Sequence, residues 1–422
     1  MNKKHRIIAG IASLSLVVAA CGSDDEETEE TEAPAEDDAS DSASASEPMD
    51  EEEDASASEP MDEEEDASAS EPMEDEDDAM EEEEEPEAPA EVSGTLVGAG
   101  ASSQAAGMTG WQVGFQELNP GATIEYDPIG SGGGRERFLE GATSFAGSDA
   151  ALDEEEFAAS IERCPGEQGA INLPHYISPI AVPYNLPSLE GQLNLTPELI
   201  AGIFANQITN WNDPAIAEVN PDLTFPDLAV NPVHRSDDSG TTENFTDYMA
   251  QTAPDIWTFG AIEPWDIDGP GGGEGGQGTS GVVAAVAAGE GSIGYADASQ
   301  IGDLPAAAVG VADEFVPFSA EAAGRIVDAS ERTGGQSEFD FAINVNRNPD
   351  SADTYPIALV SYHIVCLEYD NQEELDLVKA FMTYIGSEEG QAASGASAGS
   401  APISPEVREE ILVSIDAISL AG

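Results

Sequence analysis

The chain has 422 residues and a formal net charge of −74, from 86 Asp+Glu against 12 Lys+Arg. That balance excludes nucleic acid and anionic lipid headgroups as partners, because both are recognised through basic patches. The length is enough for two packed domains once any tail is set aside.

The chain opens with a positive cluster, Lys3, Lys4, His5 and Arg6, followed by an apolar run from Ile7 to Ala20. The run is shorter than the ~20 residues of a membrane span and fits a signal-peptide core. Val18-Ala19-Ala20-Cys21 resembles the lipobox of bacterial lipoproteins, whose cysteine carries lipid. Residues 1–20 are therefore read as a lipoprotein signal peptide and Cys21 as the lipidated residue, a plain secretory signal being the alternative.

Residues 21–92 lack Lys and Arg, and a twelve-residue unit, Ala-Ser-Ala-Ser-Glu-Pro-Met-Asp-Glu-Glu-Glu-Asp, begins at Ala43, repeats at Ala55 and recurs in variant form at Ala67. So acidic and apolar-poor a segment cannot offset its ordering entropy, and it is expected to be a disordered spacer. At ~3.3 Å per residue it would reach on the order of 200 Å. Without this segment acids still outnumber Lys and Arg roughly fourfold, which suggests a high-salt or alkaline habitat. With lipid on Cys21, only Cys164 and Cys366 remain, and they form either a disulfide or two buried thiols.

From Ser93 onward short apolar runs alternate with helical patterns, which predicts α/β architecture. Thr95–Gly100 reads as a strand ending at Ser102 and Ser103, before a helix with Met108, Trp111, Phe115 and Leu118 on one face. Thr123–Asp127 repeats the pattern, with the turn Gly130-Ser131-Gly132-Gly133-Gly134 and then a helix. Phe145–Ser148 ends at Asp149, which could bind a ligand or simply cap the next helix. Further on, Arg235-Ser236-Asp237-Asp238-Ser239-Gly240-Thr241 precedes a helical run. Helix starts present unpaired N–H groups and the positive dipole end, so this stretch reads either as an ordinary N-cap or as an oxyanion site.

Together these segments resemble the phosphate-binding proteins of bacterial phosphate import, the PstS family. The matching stretches are Gly98–Ser103, Gly130–Gly133, Ser148–Ala150 and Arg235–Thr241, with Ile208–Ile216 and Ile293-Gly294-Tyr295 in support. The resemblance implies phosphate held by Ser102, Ser103, Ser131, Asp149, Arg235, Ser239, Gly240 and Thr241. Ser103 stands where relatives often carry an aromatic residue, so only its backbone N–H transfers. Arg135 departs from the pattern and either reinforces the site or faces solvent.

The resemblance also implies a two-lobed periplasmic-binding-protein fold of class II, the Venus flytrap. Lobe one would comprise 93–177 and 356–422, and lobe two 178–355. Crossings are expected near Ile177–Val182 and Tyr355–Val360. Helices are expected over Asn194–Phe204, Thr241–Met249, Val282–Ala288, Glu373–Ile385 and Pro405–Ala417, with a mobile glycine-rich loop over Gly269–Gly281.

Phosphate near neutral pH keeps a proton and sulfate does not, so an ionised Asp149 would accept a P–OH and repel sulfate. Asp237 is expected to orient Arg235 rather than touch ligand. The implied function is extracytoplasmic phosphate capture and delivery to the permease subunits of an ABC-type importer, by a lipid-anchored, non-enzymatic protein without metal or cofactor. A receptor for sulfate or molybdate is the first alternative and a surface adhesin another. A phosphatase fits poorly, since only His175, His234 and His363 lie in the folded part and no cluster has metal-ligand spacing.

Overall fold

The computed structural model describes residues 92–265, 269–335 and 337–422. The expectations for the signal peptide, Cys21 and the acidic repeat lie outside the described residues.

Strand β1 (Gly94–Gly100), helix α1 (Ala105–Leu118) and β2 (Ala122–Asp127) form a βαβ unit with parallel strands. Met108, Trp111 and Phe115 of α1 are buried at helical spacing, as predicted. Leu118 is 49% exposed instead, because the helix ends there and the chain turns at Asn119 into β2. Helix α2 (Ser131–Leu139) then leads to β3 (Phe145–Ser148), which lies parallel on the other side of β1. Gly130 adopts φ +102, a conformation that favours glycine, and so turns the chain sharply into α2.

Helix α3 (Glu154–Arg163) takes its N-cap from Asp153. The Asp153 carboxylate accepts the Glu155 and Glu156 N–H groups, while Glu156 reaches back to the Asp153 N–H. Asp149 is thereby free of capping duty.

The centre of the sheet is β4 (Ala170–Ala181), buried throughout, paired antiparallel with β14 (Ala358–Cys366), also buried throughout. Strands buried along their whole length, polar residues included, are covered on both faces. The six-stranded order is β2-β1-β3-β14-β4-β9, with β9 (Ala296–Asp297) pairing only the last residues of β4.

A second group of elements follows β4: β5 (Asn194–Leu195), α4 (Pro197–Phe204), α5 (Pro214–Val219), β6 (Asn231–Arg235), α6 (Gly240–Thr252), β7 (Glu274–Gly276), α7 (Gly278–Ala288) and β8 (Ser292–Ile293). Strands β7, β6 and β8 form one parallel sheet. Two expectations need correction here. The helix predicted from Asn194 begins only at Pro197, because Asn194 and Leu195 pair with β10 (Ala308–Val311) and Thr196 is the N-cap. The supposed glycine-rich loop contains β7 and the start of α7, and Gly276 packs so tightly that a Cβ would lie 2.5 Å from the Val282 nitrogen.

Strand β11 (Glu314–Val316), helix α8 (Ala320–Asp328) and the hairpin β12 (Glu331–Gly334) and β13 (Phe341–Asn344) lead to β14. Helices α9 (Gln372–Gly386), α10 (Glu388–Ala398) and α11 (Pro405–Ala417) complete the fold. The pairing of β15 (Glu368–Tyr369) with β16 (Ser419–Leu420) ties down its C-terminus. Cys164 after α3 and Cys366 at the end of β14 form a disulfide across 202 residues, with Cα atoms 5.5 Å apart. That decides between the two outcomes left open for these cysteines.

Candidate functional site

The expected residues converge on Asp149, at the end of β3. Ser102, Ser103, Ser131, Asp149, Arg235, Ser239 and Thr241 are each at most 6% exposed. The first four come from strand and helix ends of the six-stranded sheet, the last three from β6 and the start of α6.

Three serines share one arrangement. Ser131 Oγ accepts the Asp149 N–H at 3.1 Å, Ser239 Oγ accepts the Thr242 N–H at 3.2 Å, and Ser102 Oγ accepts the Thr279 N–H at 3.0 Å. A hydroxyl with a lone pair engaged by a backbone N–H keeps its own proton to donate. Ser131 and Ser239 thus stand as donors, while Ser102 shares a proton with Thr279 Oγ1 at 3.0 Å. Ser239 is also the N-cap of α6, which bears out the cap reading of this stretch.

Asp149 is the acceptor among these donors. Ser103 Oγ donates to its two oxygens at 2.7 and 2.9 Å, Thr241 Oγ1 to Oδ2 at 2.7 Å, and Ser361 Oγ to Oδ1 at 2.5 Å. Burial pushes the Asp149 carboxyl above its ordinary value. The Ser361, Ser103 and Thr241 hydroxyls and the Arg235 charge pull against that rise. Gly240 lets α6 approach closely, for a Cβ there would lie 2.8 Å from the Asp149 Cβ.

Arg235 donates through Nε to Asp237 Oδ1 at 2.8 Å and through Nη2 to Oδ2, a bidentate pair. Asp237 also accepts the Gly278 N–H at 2.9 Å, which joins the Arg235 loop to the start of α7. Asp237 therefore orients the guanidinium, as expected. Among the described residues Nη1 of Arg235 has no hydrogen-bond partner.

Arg135 does not face solvent, the second of its two expectations. It is buried, paired with Glu156 at 2.7 Å and Glu263 at 2.6 Å, and donates to Ser148 Oγ at 2.9 Å. Burial opposes its charge, but Glu263 and Glu156 outweigh that and raise its pKa. Ser148 is the neighbour of Asp149 in the chain.

Sequence reasoning missed Gln104, Asn244, Thr279, Gln300 and Ser361. Asn244 Nδ2 donates to the Asp149 carbonyl at 2.8 Å, and Arg347 Nη2 donates to Asn244 Oδ1 at 2.6 Å. Gln300 Nε2 holds the Ser102 carbonyl at 2.8 Å. Thr279 was hidden in a stretch taken for loop. Ser361 stands in the mostly apolar strand β14, where no local signal points to Asp149. A cavity of about 300 Å³ adjoins Asp149, lined in part by Glu243, Asp247, Arg347 and Tyr362. Burial and the nearby Glu263 raise the Glu243 pKa to about 7. Among the described residues no group of three or more His, Cys, Asp or Glu is placed to hold a metal ion.

The fold is that of the periplasmic binding proteins. The PBP superfamily domain matches residues 85–389. The phosphate-binding protein PstS 3 of Mycobacterium tuberculosis is 35% identical over 330 residues, covering 77% of this chain and 87% of that protein. PstS 2 of the same organism is 30% identical over 336 residues with the same coverage. A solved periplasmic phosphate-binding protein with bound phosphate, PfluDING, superposes with a TM-score of 0.63 at 22% identity, over 77% of this chain and 93% of the other. The phosphate binding protein of Stenotrophomonas maltophilia gives 0.60 at 20% identity, over 76% and 94%. This chain belongs to the PstS family within the PBP superfamily.

Proposed function

We propose that this chain captures inorganic phosphate outside the cytoplasm and hands it to the permease subunits of an ABC-type phosphate importer, without catalysing a reaction. One observation carries the reading: the Ser103, Thr241 and Ser361 hydroxyls donate to the buried Asp149 carboxylate, with the Arg235 charge near enough to act on it. That set complements an oxyanion that still holds one proton. The phosphate-binding relatives support it.

In this reading Ser102, Ser103, Ser131, Asp149, Arg235, Ser239, Gly240 and Thr241 form the phosphate shell. Lobe one is 93–177 with 356–422 and lobe two is 178–355, hinged at the end of β4 and the approach to β14. Closure brings α6 against Asp149 and excludes water from the anion. Lipid on Cys21 tethers the protein and 21–92 serves as its spacer, so Cys21→Ser should move the protein from the membrane fraction to the medium. Calorimetry of the full chain with phosphate and with sulfate tests the central claim. Tight phosphate binding is expected, and stronger binding of sulfate would refute it.

A further inference from the structure

One hydroxyl that holds Asp149 belongs to none of the recognised motifs. Ser361 lies inside β14, wholly buried, with Oγ 2.5 Å from Asp149 Oδ1. On its other side Gln104 Nε2 is 2.6 Å from Ser361 Oγ and 3.2 Å from the Tyr362 carbonyl oxygen. A carbonyl only accepts, so the Gln104 amide must present its NH2 group to Tyr362. The same NH2 group then donates to Ser361 Oγ, and the Ser361 proton is left for Asp149. A backbone carbonyl thus sets the direction of the whole relay.

Ser103 and Thr241 also donate to Asp149, but among the described residues no other group donates to their hydroxyls. They are free to turn to a bound anion, whereas Ser361 is pinned. We propose that Ser361, oriented by Gln104, is a specificity-determining positioning residue that keeps Asp149 an obligate acceptor, so the site admits a protonated oxyanion and refuses an unprotonated one. The proposal rests on the phosphate reading above.

The charged and titratable groups around Asp149 are Arg235 from β6, Tyr126 from β2 and Asp297 from β9, with Glu243 and Asp247 of α6, Tyr362 of β14 and Arg347 on the adjoining cavity. Arg235 favours the carboxylate and Asp297 opposes it. In that balance the Ser361 hydroxyl is the foremost counterweight to burial.

The test is calorimetry of the full chain with phosphate and sulfate from about pH 5 to 8, on wild type, Ser361→Ala and Gln104→Leu. A buried hydrogen bond to a charged group is worth roughly tenfold or more in an equilibrium. Ser361→Ala is expected to lose about tenfold of the preference for phosphate near pH 5, and sulfate should begin to compete about one pH unit higher than in wild type. Gln104→Leu should shift the profile in the same direction, and carries the test if Ser361→Ala does not fold. An unchanged phosphate-to-sulfate profile in a variant with wild-type melting temperature overturns the proposal, and so does a loss of preference that is equal at every pH. Wild type binding no phosphate would instead refute the function itself.

Discussion

At the scale of single residues, the proposed site divides into attraction and choice. In that reading the serines, Thr241 and Arg235 would attract any oxyanion through the protons they can offer it. Asp149 would make the choice, because as a carboxylate it has none. Two substitutions separate these roles. Asp149→Asn introduces a donor, so sulfate becomes acceptable, and phosphate preference should fall by more than tenfold in competition binding. Asp237→Asn breaks the bidentate hold on Arg235 and weakens the tie to Gly278. Both anions should then bind about tenfold more weakly with their ratio unchanged. A changed ratio in Asp237→Asn, or an unchanged one in Asp149→Asn, would contradict this division. The four motifs were legible as strand and helix ends, where small polar residues have few other uses. Ser361 was not, because its partner Gln104 is 257 residues away in sequence and no local pattern joins them.

At the scale of elements, helix α6 is the part on which the proposed binding would turn. Its first N–H groups, at Gly240 and Thr241, have no partner within the helix. Its start lies against the Asp149 backbone, where a Cβ on Gly240 would come within 2.9 Å of the Ala150 nitrogen. Gly240→Ala should therefore hold α6 off Asp149 and weaken phosphate and sulfate alike by at least roughly tenfold, measurable by calorimetry, with little change in melting temperature. Wild-type affinity in that variant would show that close approach is not required. Helices with strong apolar periodicity or an N-terminal proline were legible, and Pro405–Ala417 matches its predicted bounds. The stretch 269–281 was misread because glycine signals loop by composition, while here several of its glycines serve close packing of α7 on its sheet.

For the whole molecule, buried titratable groups set opposing pH limits. His175 and His363 face each other through Nδ1 atoms 3.2 Å apart, and neither Nε2 has a partner. Burial lowers both pKa values, that of His363 to about 3. The unfolded chain takes up protons near pH 6.5 and the folded one does not, so stability falls as pH drops below that point. The slope is about 1.4 kcal/mol per pH unit for each histidine. Buried acids act in the opposite sense. Burial raises Asp149, Asp297 to about 6 and Glu243 to about 7. Their contribution is full below about pH 4 and is lost as pH rises through those values. Thermal melts from pH 8 to 4 should show a smaller acid loss in His363→Gln than in wild type. An equal loss would mean that the histidine pair does not set the acid limit.

The Cys164–Cys366 bond joins residues on either side of the entire stretch from Pro165 to Val365. Covalently, everything proposed as lobe two hangs inside one closed ring. A single cut in the exposed segment Gly271–Gly273 would open that ring without releasing a fragment. The nicked protein would stay one covalent molecule until a reductant cleaved the bond, so the bond keeps the two pieces joined even where the peptide chain is broken and the fold opens.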